Sequence, residues 1–165
     1  MSSPMPQIAE LKNQWMRQHI DVEFPTPESL LGYELYQQRS SNADYQPLQR
    51  SDSTQRFPDE EIYKVDFHRL TVMFALLQAS MWPEPRQQQL MVEFLSQIIY
   101  SEPCELYLGF QGGEAVLAAI VTKDQDQALI SDIAAKIEAK DLQPGFIASL
   151  ADRLHDNEII WLEHI

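Results

Sequence analysis

The chain has 165 residues, 44% of them apolar and 22% charged, which is material for one core and not the profile of a disordered or fibrous protein. Twenty-five acidic against 12 basic side chains give a net charge of −13, which repels nucleic-acid phosphates and anionic membranes and leaves a basic protein as the partner that charge favours. Five glycines and one cysteine, Cys104, remove most phosphate-cradling loops, any intrachain disulfide and any multi-cysteine metal cluster.

A lone cysteine suits a reducing compartment, so a cytoplasmic protein is expected. No apolar run reaches the roughly 18–20 residues of a membrane span, and Met1 to Gln7 lacks the basic and then apolar pattern of a secretory signal.

Residues 7–19 place Ile8, Leu11, Trp15 and Met16 on one stripe, with Glu10, Lys12, Asn13, Arg17 and Gln18 elsewhere, which predicts an amphipathic helix. Ile20 to Phe24 alternates apolar and acidic residues and reads as a short edge strand ended by Pro25. Thr26 and Pro27 form a cap and first position for a helix through Leu30, Leu31, Leu35 and Gln38, with Gly32 as its weak point. Ser40 to Pro58 is polar, with Ala43, Tyr45, Leu48 and Phe57 as its apolar anchors, and reads as a long mobile loop within a single domain spanning 1–165.

Phe67, Leu70, Phe74, Leu77 and Met81 mark the clearest helix, 66–81; Trp82-Pro83-Glu84-Pro85 breaks it, and a second helix runs from Pro85 to Tyr100. Alternation of Leu106, Leu108 and Phe110, then Gln111-Gly112-Gly113, then the apolar run Ala115–Val121 predicts a β-hairpin over 105–123. For Ala128–Ile133 two readings stand, a third strand or the lead-in to a helix capped by Ser131 or Asp132. Phe146 to Leu154 carries a helical stripe, and Glu158–Glu163 reads as a buried strand.

The four histidines, His19, His68, His155 and His164, share no metal-ligand spacing, so no metal site is expected. Carboxylates flank Cys104 and argue against a reactive thiolate. Asp59-Glu60-Glu61 and the pair Asp124 and Asp126 are compact acidic clusters able to bind a cation but read as solvated, and the pair lacks the glycine and distal glutamate of a calcium loop. Gly109, Gly112 and Gly113 sit in the hairpin and not between a strand and a helix, which disfavours a standard nucleotide loop. Trp82 and Trp161 read as core anchors. No catalytic or cofactor-binding residue is assigned and no cofactor is expected.

Two helices followed by Glu105-Leu-Tyr-Leu-Gly-Phe, Gln-Gly-Gly-Glu-Ala-Val-Leu-Ala-Ala-Ile-Val-Thr and Ala-Leu-Ile-Ser-Asp-Ile resemble, over residues 62–135, the front half of the GNAT-type N-acetyltransferases. In that family two helices precede an antiparallel meander whose third long strand binds the pantetheine arm of acetyl-CoA, and a Gln/Arg-x-x-Gly-x-Gly/Ala loop then holds the pyrophosphate on backbone N–H groups. Here Ile133-Ala-Ala-Lys-Ile-Glu-Ala-Lys contains no glycine, so the resemblance carries over no active-site residue.

The expectation is therefore an α+β fold, with an antiparallel sheet (hairpin 105–123 plus the C-terminal strand) packed against several helices. The expected role is non-catalytic binding or regulation on an acetyltransferase-like scaffold, with a divergent acyl-CoA-dependent acyltransferase as the alternative. A basic protein partner and a homodimer formed over an open sheet edge are the expected associations. A splayed parallel pair near 127–133 is the topological mark that would support the family relation.

Overall fold

The structure, a computed structural model, describes residues 5–165; the first four residues of the Met1–Gln7 stretch lie outside the described residues. The helices are α1 (Gln7–Arg17), α2 (Pro27–Ser40), α3 (His68–Ala79), α4 (Pro85–Leu95) and α5 (Gln143–Asp152). The strands are β1 (Asp44–Pro47), β2 (Ile62–Lys64), β3 (Cys104–Gln111), β4 (Glu114–Asp124), β5 (Gln127–Ala135) and β6 (Ile159–His164), and they form one sheet in the order β1-β6-β5-β4-β3-β2. Every pairing is antiparallel except β5 with β6. Among the described residues no helix is long and apolar enough to cross a membrane.

Both faces of the sheet are covered, which explains why β4 reads as a continuous apolar run and not as an alternation. Leu106, Leu108, Ala118 and Ile120 share a cluster with Trp15 of α1, Tyr36 of α2, Phe74 of α3, and Met91 and Phe94 of α4. Tyr107, Leu117, Val121 and Ile130 meet Phe57 and Phe146, Leu150 and Leu154 of the α5 region on the other face. Phe74, Phe94 and Phe146 have no exposed surface, and each such burial contributes roughly 1.5–3 kcal/mol relative to an exposed ring.

Local signals account for most of the boundaries. Thr26 Oγ1 accepts from the Ser29 N–H at 3.1 Å, and Pro27 fills the first position of α2. Gly112 and Gly113 both have positive φ, 59° and 79°, as the tight β3–β4 turn requires. Gly32 is where α2 packs on α4: a Cβ there would lie 2.2 Å from the Leu90 carbonyl oxygen, so only glycine permits the approach.

Several expectations change. Ile20–Phe24 forms bends and no strand, because no neighbouring strand takes up its backbone. Phe67 stands outside α3 as its extended cap residue and is half exposed. The second helix stops at Leu95, and Ile98 reaches the core through a turn bonded to the Leu95 carbonyl. Residues 128–133 are strand throughout β5. Part of the polar stretch 40–58 is β1, which pairs with β6 from Asp44↔His164 to Pro47↔Trp161. Beyond it, Arg50 donates to the carbonyls of Ala151 (2.8 Å) and His155, and Arg56 pairs with Asp152 at 2.8 Å.

Candidate functional site

The parallel pairing of β5 and β6 runs from Gln127↔Ile159 to Ile130↔Leu162 and then ceases, so the two strands part beyond Ile130. At the same place β5 bulges against β4: three residues of β4, Ala118 to Ile120, face four of β5, Ser131 to Ala134, and Asp132 takes a φ of 52°. An aspartate tolerates this left-handed conformation better than most side chains. The bulge removes the Asp132 N–H from the ladder, and it donates instead to Glu163 Oε1 of β6 at 3.0 Å.

Five elements deliver titratable groups into this gap. Lys12 comes from α1, Tyr36 from α2, Tyr45 from β1, Asp132 from β5 and Glu163 from β6. The Lys12 ammonium, which has no exposed surface, lies 2.6 Å from Tyr36 Oη, 3.0 Å from Asp132 Oδ2 and 3.4 Å from Glu163 Oε2. It donates hydrogen bonds to Tyr36 Oη and Glu163 Oε2 and forms an ion pair with Asp132. Ser131 Oγ donates to Asp132 Oδ2 at 2.6 Å, and Tyr45 Oη donates to Glu163 Oε2 at 3.2 Å.

With both carboxylates ionised the cluster would carry one uncompensated negative charge in a buried setting, a costly state. Burial pushes the Glu163 carboxyl above its ordinary range, Asp132 adds to this, and Lys12 opposes it. Burial works against the Lys12 ammonium too, but Asp132, Tyr36 and Glu163 outweigh it and hold its pKa well above the ordinary value. Burial and the neighbouring carboxylates raise both tyrosine hydroxyls, so both stay protonated, Tyr36 accepting from Lys12 and Tyr45 donating to Glu163. All five residues are buried, and Tyr36 also borders a surface cavity with Asn13, Tyr33 and Ser40. The cluster ties five elements together.

Sequence reading placed Lys12 on the polar side of its helix. The structure puts it on the buried one, between Ile8, Ala9, Trp15 and Met16. The spacing carried the signal: Lys12 lies four residues after Ile8 and three before Trp15, in the middle of the apolar stripe. Nothing in the sequence pairs it with Asp132 or Glu163, which are more than a hundred residues away.

The other candidates stay apart. His19 is buried edge-on against Trp15, with ring centroids 4.5 Å apart, while His68, His155 and His164 are exposed on separate elements. Among the described residues no group of three or more His, Cys, Asp and Glu side chains is placed to hold a metal ion. Asp59 pairs with Arg153 at 2.8 Å, and Asp124 and Asp126 are exposed around the β4–β5 turn. Trp82 is buried in the helical core and Trp161 is partly buried beside β1. Cys104 faces Thr122 Oγ1 at 3.3 Å, and burial, with Asp132 and not the flanking carboxylates adding to it, pushes its thiol up to about 12.

Burial lowers the His19 pKa from 6.5 to about 4, so the folded chain holds a neutral imidazole. Stability from this group is full above pH 6.5 and is lost as pH falls through 4. His19→Phe keeps an aromatic ring against Trp15 and should remove that part of the acid limb, seen as a flatter dependence of Tm on pH between 6.5 and 4.

No family model matches the chain, and no curated protein matches it in sequence. Among solved structures it is similar to the ribosomal-protein-S18-alanine N-acetyltransferase of Escherichia coli, with 20% identity over 61% of this chain and 64% of that one and a TM-score of 0.44. A second similar structure, a conserved protein of unknown function from Staphylococcus epidermidis ATCC 12228, has 9% identity, covers 79% of this chain and 55% of that one, and gives a TM-score of 0.51. A third, described as an acetyltransferase of the GNAT family from Novosphingobium aromaticivorans DSM 12444, has 16% identity over 83% and 67% of the two chains and a TM-score of 0.38. The chain spans less than two thirds of the first two proteins, and identities this low bear on fold alone. The antiparallel run β2-β3-β4-β5, followed by a parallel β6 that parts from β5, is the splayed parallel pair near 127–133 that the resemblance to acetyltransferases led one to expect.

Proposed function

We propose that this chain is a non-catalytic binding or regulatory protein on an acetyltransferase-like scaffold. The observation that carries this reading is the side chain of Lys12, held by Asp132 and Glu163 in the gap where β5 and β6 part. β5 is the third long strand of the meander, the one that receives the pantetheine arm in the family the chain resembles. Here α1 packs on that stretch and fills it with a buried ionic cluster. The connection that follows, Lys136 to Gln143, has no glycine and is wound into a 3₁₀ turn over Ile137–Leu142, which supports the same reading. The Gln55 carbonyl oxygen lies where a Cβ on Gly145 would be, 2.4 Å away, so the first turn of α5 is also occupied by the chain itself.

Isothermal titration with acetyl-CoA and with CoA is the test. The expected outcome is no heat of binding at ligand concentrations up to about 1 mM, weaker than roughly −4 kcal/mol of affinity. A Kd in the micromolar range would overturn the reading in favour of an acyl-CoA-dependent acyltransferase. The net charge of −13 supports a basic protein as the partner.

A further inference from the structure

We infer that the outward face of the first two turns of α2, together with the Val22–Phe24 segment before it, is a docking surface for a basic amphipathic helix. This rests on the reading of the chain as a binding protein and gives that binding an address. The inward stripe of α2, Ser29, Gly32, Tyr36 and Ser40, is spent on packing. Its outward stripe begins with two leucines, Leu30 at 40% and Leu31 at 44% exposure, and Phe24 just before the helix is 85% exposed. α2 runs antiparallel to α4, because Gly32 lies against Leu90 and Phe94 while Arg39 stacks over Trp82, just ahead of α4. The start of α2 therefore lies toward the end of α4, where Ile99 is 74% exposed.

Charge identifies the occupant. Asp21, Glu23, Glu28 and Glu34 interleave with these apolar side chains, and the sequence has no lysine or arginine from Gln18 to Gln38 or from Gln87 to Thr122. His19, the one imidazole in the first of these stretches, is held neutral by burial. Apolar knobs within a field of one sign fit a helix that is apolar on one stripe and cationic on its flanks. A second copy of this chain would set like charges against each other, and an anionic membrane would be repelled in the same way.

The probe is an amphipathic leucine–lysine peptide of about 18 residues, long enough to form a helix, with its leucine–glutamate counterpart as control. Binding is followed by fluorescence anisotropy, and the site is mapped by amide hydrogen exchange. The lysine peptide should bind, the glutamate peptide should not, and protection should fall on residues 21–34. Phe24→Ser and Leu31→Gln should each weaken binding about tenfold, at high salt as well as low, because they remove apolar contact. Asp21→Lys with Glu23→Lys should weaken it most at low salt, where charge attraction is least screened. These side chains are exposed, so unchanged thermal melts are expected for all the variants.

Protection elsewhere, or unchanged affinity in Phe24→Ser and Leu31→Gln, overturns the assignment of the surface and leaves the non-catalytic reading to the acetyl-CoA titration. A dimer by light scattering that Phe24→Ser dissolves would make this face a self-interface and also overturn the proposal.

Discussion

Replacing Lys12 by methionine should remove about 3–5 kcal/mol of folding stability, the cost of deleting one partner of a buried ion pair and leaving the other charges behind. The methionine side chain has similar length and enough apolar character for the site, so the loss reports charge more than volume. Asp132 and Glu163 would then face each other through a bulge and a strand end with no cation within reach. Urea denaturation read by tryptophan fluorescence measures the deficit, since Trp15 lies one turn from Lys12.

The same measurement against pH carries a sign. Glu163 is held above its ordinary value of 4.5 in the folded chain, so its stabilising contribution is full below pH 4.5 and is lost as pH rises through the folded value. Without Lys12 that loss deepens, and the deficit of Lys12→Met relative to the parent chain should be smallest toward pH 4.5. Adding Asp132→Asn and Glu163→Gln to Lys12→Met should return much of the stability at pH 7, because a neutral set of similar shape avoids the desolvation cost. A deficit below about 1 kcal/mol would mean that the gap admits water, as for an ordinary surface ion pair.

Alanine at position 32 should destabilise the chain although it favours helix elsewhere. In an exposed helix interior Gly→Ala gains about 1 kcal/mol. Here the new methyl would stand 2.2 Å from the Leu90 carbonyl oxygen and 2.7 Å from the Phe94 Cβ, distances at which a helix must shift. Overpacking of this kind costs typically about 1–3 kcal/mol, a fall in Tm of several degrees at this chain length. Differential scanning calorimetry gives the answer directly, and a rise in Tm would show that α2 lifts from α4 at little cost.

These two positions also show what was legible in the sequence. Helical stripes named α1, α2, α3, α4 and α5, and the Gly-Gly turn named the β3–β4 hairpin, because such signals are local: a 3.6-residue period, a proline at a first turn, a backbone that needs positive φ. Gly32 was visible only as a weakness in a helix, since its value lies in the close approach to Leu90 and Phe94 of α4. Ile20–Phe24 alternated as a strand would, but a strand needs a partner and none is adjacent.

The candidate site was the least legible part. Acidic surplus, scarce glycine and the missing loop after β5 were plain from composition and order, and they bounded the function by exclusion. Lys12 looked like one of several polar residues on α1, and Asp132 like either a strand residue or a helix cap. Their meeting depends on the bulge in β5, on the point where the parallel pairing stops, and on β1 and β6 bringing Tyr45 and Glu163 alongside.

The sequence by itself determined that this is an acidic α+β chain with a central hairpin and an acetyltransferase-like order of elements, because hydrophobic period and turn chemistry act over a few residues. Only the tertiary structure decided that the strand gap is filled by the chain's own lysine. A buried charge finds its partners through space, and here those partners are separated by more than a hundred residues of sequence.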